Sequence, residues 1–336
     1  MALPTLSKTW QFNVNNAQLA LGTNDADIKA LIYAIVSAML GFSSTPWTVD
    51  YSCLTTGNVG TKGDHVNRWS SASALVASYN SAHSWIVLKQ SGISSNFELL
   101  IDLKPVNGNN YAFQAIISVS FSAGFTGGTA TAAPTATDQQ YLLGANISTS
   151  QQWVNLGTDA SLRWSVMQST DGQCTRMVAY SGGVQITGFV LDLPTNKTSG
   201  WTTPGYAFWS TGLGFGQTVA SPYAIAGNAN GFVNINGTLA GAYITCETLM
   251  WHTLAAYVTI VDQQTSPNAL DSNWPMMPCG IFVLSSGVMG RYGTFQDMWV
   301  GSNSIATGDT YPATGSDFIQ SGVLIFPWNG GPVNLS

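Results

Sequence analysis

Charge is what this sequence has least of. Only 8% of its 336 residues are Asp, Glu, Lys or Arg, about a third of the share in an ordinary globular chain. The ten Lys and Arg are scattered singly from Lys8 to Arg291. With no basic cluster to neutralise phosphates, a nucleic-acid partner is not expected, nor is docking on an anionic membrane surface. Acidic residues are also few, and only Glu98 and Glu247 are glutamates. A glycosidase needs two carboxylates facing each other across a cleft. Asp50 with Asp64, or Asp159 with Asp171, could meet in space, but single Asp residues more commonly serve turns.

Other absences narrow the field further. Cys53, Cys174, Cys246 and Cys279 form no CxxC pair, and His65, His83 and His252 are equally scattered. This is neither a zinc pattern nor a disulfide framework, so buried free thiols are expected. A Cys–His nucleophile would need His65 or His252 beside Cys174, which no spacing indicates. There is no GxSxG elbow and no GxxxxGK[ST] phosphate loop, and GLGFGQT (Gly212–Thr218) lacks a strand–helix setting. Asn146, Asn196 and Asn236 begin N-x-S/T triplets, as expected by composition in an Asn- and Thr-rich chain. The longest apolar stretch, Ala30–Phe42, runs for about thirteen residues, short of the roughly twenty that span a bilayer. MALPTLSKTW has neither the basic start nor the apolar run of a secretory signal, so synthesis and retention in a cytoplasm are expected. No catalytic constellation, cofactor or metal is implied.

What is abundant is aromatic and apolar: 12 Trp, 12 Tyr and 14 Phe within a chain that is 45% hydrophobic and carries 35 Gly. Such a chain folds. One α-helix is expected over about residues 25–40. There Ile28, Leu31, Ile32, Ile35, Val36 and Met39 recur at the helical period, Asp25 and Asp27 favour the positive end, and Gly41 stands ready to end it. Its other face (Ala30, Tyr33, Ala34, Ala38) is also nearly uncharged, so the helix is covered on all sides. Either it lies across a sheet of its own chain, or a neighbouring subunit completes it. Under the second reading, those six residues form an interface.

From about residue 46 onward, short runs such as SWIVLKQS, FELLIDLK, RWSVMQS, TRMVAYS and VLIFPW are separated by Gly, Pro, Asn, Ser and Thr. This texture predicts a mainly β protein: an antiparallel β-sandwich or jelly-roll-like body of two packed sub-sheets (46–336) behind an N-terminal arm and helix (1–45). A loop excursion is expected near 121–140, either a surface loop or an arm that becomes ordered only against a partner. Phe326 and Trp328 near the C-terminus either close a last strand or offer an apolar contact to a neighbour.

Two stretches resemble each other: WIVLKQSG (Trp85–Gly92) and WSVMQSTDG (Trp164–Gly172). Each is followed by apolar residues and Asp-Leu, ELLIDLKP with Asp102 and GFVLDLP with Asp192. The pattern suits an internal duplication of a strand pair. Trp85, Val87, Trp164 and Val166 would then face a core, with Asp102 and Asp192 capping the turns that follow. The same Trp–Asp pairs could instead be sugar-stacking sites, and chance is a third reading in so restricted an alphabet.

RWSVMQSTDGQCTRMVAY, GRYGTFQDMWVGS and GDTYPATGSDFIQSGVLIFPW, with the short N-terminus, single apolar helix and charge-poor β body, resemble virion structural proteins of tailed bacteriophages. The resemblance extends loosely over the whole chain and carries no functional residue with it. It implies a non-enzymatic subunit assembled in the host bacterial cytoplasm into the virion, in the tail, baseplate or neck, beside copies of itself and other virion proteins. The alternatives are a lectin-like module binding a host-surface glycan, on the tail tip or elsewhere, and a capsid-associated decoration protein. Scarce surface charge agrees on separate grounds, because permanently packed subunits need little ionic repulsion.

Overall fold

The computed structural model describes residues 6–19, 25–53, 69–75, 84–105, 113–120, 124–129, 132–135, 140–144, 162–180, 186–193, 195, 205–210, 232–233, 242–246, 276–285, 288–301, 310–311, 318–321 and 324–327. Among these residues the protein is mainly β, with seventeen strands in three antiparallel sheets and one α-helix. The chain opens with β1 (Trp10–Leu19) and α1 (Asp25–Leu40). A five-stranded meander follows: β2 (Thr48–Ser52), β3 (Ser84–Lys89), β4 (Glu98–Pro105), β5 (Phe113–Ser120) and β6 (Gln140–Gly144), in that order across the sheet. Next come β7 (Leu162–Ser169), β8 (Cys174–Tyr180), β9 (Ile186–Asp192) and β10 (Gly205–Ser210), which build a second five-stranded sheet on β1 in the order β1-β7-β8-β9-β10. Strands β11 (Phe232–Val233), β12 (Ala242–Cys246), β13 (Met276–Ser285), β14 (Val288–Gly301), β15 (Thr310–Tyr311), β16 (Phe318–Ser321) and β17 (Leu324–Pro327) form a seven-stranded sheet in which β13 pairs with β14.

Within the expected N-terminal arm, Trp10–Leu19 forms an edge strand among the described residues. β1 runs antiparallel to β7 with Trp10 opposite Ser169 and Asn15 opposite Trp164. Gln11 and Asn13 reach the end of the helix and the turn after it. Asn13 Nδ2 donates to the Ala38 carbonyl at 2.7 Å, and Gln11 both donates to the Ser44 carbonyl and accepts the Ser44 N–H. The last turn of α1 has no basic residue; the Asn13 amide, with Gly41 N–H on Ser37 and Trp47 N–H on Met39, satisfies carbonyls at the helix end.

α1 belongs to the interior of its own chain. Leu31, Ile32, Ile35, Val36 and Met39 are each at most 2% exposed. They share one apolar core with Ile86, Leu88, Leu99 and Ile101 of the first sheet and Trp164, Val166, Met177, Phe189 and Leu191 of the second. The interface reading of these five residues is thus corrected: a stripe wedged between two sheets has no surface left for a neighbour. The side chain of Ile28 lies outside the described residues, as do Trp328 and the side chain of Phe326, which sits in β17 (Leu324–Pro327).

The opposite face of the first sheet carries a smaller core of Tyr51, Cys53, Trp85, Val87, Leu100 and Phe125. It is roofed by part of the expected excursion. The Phe125 N–H bonds the buried Glu98 carboxylate at 2.5 Å, and Trp85 Nε1 donates to the Thr129 carbonyl at 2.8 Å. These described parts of the excursion order against the chain's own sheet.

Candidate functional site: a buried ionic junction

The densest polar chemistry among the described residues is where β14 meets the outer face of the β1-β7-β8-β9-β10 sheet. In the β13–β14 ladder, Gly280 pairs with Thr294 and Pro278 with Trp299, so the single residue 279 stands against the four residues 295–298. A bulge of this kind releases backbone groups from the ladder and re-aims them. Asp297 takes the left-handed conformation (φ 51°), one that Asp tolerates better than most residues. Phe295, Gln296, Asp297 and Met298 are all buried.

Arg176 receives the released carbonyls. It is fully buried on β8, donating through Nη1 to the Asp297 carbonyl at 2.8 Å and through Nη2 to the Gln296 carbonyl. Nη2 also pairs with Asp192 Oδ2 on β9 at 3.2 Å, with both side chains 0% exposed. Asp192 accepts the Gln296 N–H at 3.1 Å and the Cys174 thiol at 3.0 Å, while Gln296 Nε2 returns to the Leu193 carbonyl at 2.6 Å. The guanidinium lies 4.6 Å from the ring centroid of Trp10, a favourable cation–π arrangement.

Asp297 completes the junction by gripping the N-terminal segment. Its Oδ1 accepts the Ser7 N–H and hydroxyl, both at 2.7 Å, and its Oδ2 accepts the Lys8 N–H at 2.9 Å and Trp10 Nε1 at 2.8 Å. Lys8 Nζ meanwhile reaches the β7–β8 turn, bonding Asp171 at 2.5 Å and Gln173 at 2.6 Å.

The electrostatics suit a fastening and not a reaction centre. Burial pushes the Cys174 thiol well up, and the neighbouring Asp192 carboxylate adds to the lift. The thiol is therefore kept protonated and is no nucleophile at neutral pH. Burial also raises Asp192, against the pull of Arg176, the Cys174 thiol and the Gln296 N–H. Among the described residues, no group of three or more His, Cys, Asp or Glu is placed to hold a metal ion, and no helix is long and apolar enough to cross a membrane.

Asp171 is different, being partly solvated. Burial works to raise it, but hydrogen bonds from Lys8, Ser169 and the Gln173 N–H prevail and lower its pKa below 3.8. Its stabilising contribution is therefore present above about pH 4 and disappears as pH falls through the lowered value. The Asp171 side chain is 41% exposed, so solvent screens the pair, and Lys8→Met should cost less than about 1 kcal/mol. Urea midpoints of the variant and parent should converge below pH 4.

The two Trp stretches are the second strands of the two five-stranded sheets, β3 and β7. Trp85, Val87, Trp164 and Val166 all face apolar cores, but not the same one. Trp85 and Val87 point to the roofed side of their sheet, while Trp164 and Val166 join the helix. The Asp residues do not match either. Asp102 stands directly opposite Trp85 in the middle of β4, whereas β8 separates Asp192 from Trp164. Asp102 lies within a strand, and Asp192 is committed to Arg176. All four Trp and Asp residues are at most 7% exposed, so these pairs are closed to stacking on a sugar.

Cys53 and Cys174 are free and buried. Cys246 and Cys279 are cross-strand partners in the register of β12 (Ala242–Cys246) and β13; their side chains lie outside the described residues. So do Asp64, His65, His83, Asp159, His252, Asn146, Asn196, Asn236 and residues 212–218. Sequence reasoning missed Arg176 and Asp297. The available signal was a lone cation in the strand TRMVAY, in a chain with so few cations to place. Set against models of known protein families and against curated proteins, the chain matches none.

Proposed function

We propose that this chain is a non-enzymatic structural subunit of a bacteriophage particle. It enters a multi-copy complex in the tail, baseplate or neck with copies of itself and other virion proteins. The reading is carried by the way the chain spends its few charges. Arg176, Asp192, Asp297 and Glu98 are all buried as internal ties between strands, loops and the N-terminal segment. In a chain with only 8% charged residues, charges used inside are unavailable to keep an exterior solvated and solitary, which suits a surface covered by permanent contacts. The helix stripe is consumed in the core, so those contacts fall to other surfaces.

Mass photometry of the purified protein, alone and mixed with the products of neighbouring structural genes, tests this. Discrete multi-copy species are expected. A monomer at micromolar concentration that associates with none of them overturns the reading. Saturable binding on a glycan array, abolished by replacing one exposed aromatic residue, would favour the adhesion module instead.

A further inference from the structure

We infer that residues 7–10 are a latch holding the seven-stranded sheet onto the rest of the molecule, and that Asp297 is its catch. The inference is independent of the subunit role proposed above.

Two observations locate the weak point. The core shared by α1 and the two five-stranded sheets is built, among the described residues, from residues between Leu31 and Leu193. Residues 295–298 of the seven-stranded sheet meet the outer face of the second sheet, where their backbone is held by Arg176 and Asp192. The bulge has left its own ladder and depends on partners outside its sheet for its polar groups.

The N-terminal segment closes over that contact. Four donors from residues 7, 8 and 10 converge on one carboxylate, and the Trp10 ring covers the guanidinium that the bulge caps. Among the described strands, β1 lies at the edge of its sheet, paired with β7. Removing the catch frees residues 7–10 to lift, opens Arg176 to water and lets its bonds to the bulge exchange with solvent. The seven-stranded sheet then loosens while the helix-centred core stays closed.

Asp297→Gly isolates the catch, because glycine adopts φ 51° without strain and only the carboxylate is lost. Hydrogen exchange of the full-length protein, followed by mass spectrometry, reads the result. Residues 6–12 and 276–301 are expected to exchange about tenfold faster, with residues 84–105 unchanged. Ser7→Ala/Trp10→Phe removes two of the four donors and keeps a ring over Arg176, so it should shift the same peptides in the same direction by about threefold. If Asp297→Gly does not fold, this milder variant decides by the same criterion. Faster exchange confined to residues 6–12 would show that the segment secures only itself. Equal acceleration of 84–105 would show that the molecule opens as one unit. Either result overturns the latch.

Discussion

Arg176→Met is expected to lower the unfolding free energy by about 3–5 kcal/mol at pH 7.5, the range for removing one partner of a buried ion pair. Arg176 and Asp192 are both 0% exposed, so solvent screening gives no relief. The substitution leaves the Asp192 carboxylate in the interior with only the Cys174 thiol and the Gln296 N–H as partners. It also strips the Gln296 and Asp297 carbonyls of their guanidinium donor. Burial already raises Asp192, and losing the cation raises it further. A carboxyl raised in the native state binds its proton more tightly folded than unfolded. The cost of burying its charge is thus absent below the ordinary value of 3.8 and grows as pH rises through the folded pKa. The deficit in Arg176→Met should accordingly shrink when urea denaturation is repeated at pH 4.5. Arg176→Met/Asp192→Leu removes both charges and should recover most of the loss, giving a coupling of at least about 2 kcal/mol. A single variant within about 1 kcal/mol of the parent at pH 7.5 would mean that water reaches the pair.

Elements governed by local periodicity were legible in the sequence, and those governed by partners were not. The helix expected over about 25–40 is α1, because its apolar spacing is a property of the segment alone. The strand character of SWIVLK, ELLIDLKP and LRWSVMQS was legible for the same reason. β1 shows how a local pattern can mislead. Trp10, Phe12 and Val14 alternate with Gln11, Asn13 and Asn15, the period of a strand, yet Gln11 and Asn13 reach carbonyls at the end of α1 and in the turn after it. Such an alternation makes sense only once the helix end is known to need donors. The bulge at residues 295–298 is harder still. Nothing in TFQDMW breaks a strand pattern, and the backbone leaves its ladder because Arg176 and Asp192 wait on another sheet. The Trp repeat lies between these cases. Its strands are real and take the same place in two sheets, but Asp102 and Asp192 fall on strands that do not correspond, a matter of topology that spacing could not reveal.

The glycines that end the two Trp stretches lie against each other, and this contact sets the other large effect. A Cβ on Gly92 would stand 2.6 Å from the Asp171 carbonyl oxygen and 2.7 Å from the Gly172 carbonyl carbon. Both are backbone atoms of a turn closed by Gly172 N–H on Ser169 at 2.8 Å, so neither can swing aside as a side chain would. Across the gap, Gly172 has φ 73°, and a Cβ there would meet Thr45 Cγ2 at 2.8 Å and Gln90 Oε1 at 2.9 Å. That neighbourhood is already tied: Gln90 Nε2 donates to the Thr45 carbonyl, and Thr45 Oγ1 donates to the Thr170 carbonyl. Gly92→Ala and Gly172→Ala are each expected to cost about 2–3 kcal/mol in urea denaturation, from overpacking at the first and overpacking plus left-handed strain at the second. Gly127→Ala is the control. Its φ is 78°, but nothing lies within 4 Å of the new methyl, so strain alone should cost about 1–2 kcal/mol. The double variant Gly92→Ala/Gly172→Ala should fall short of the sum, because one separation of the two turns relieves both clashes. Full additivity would mean that the turns do not touch in solution.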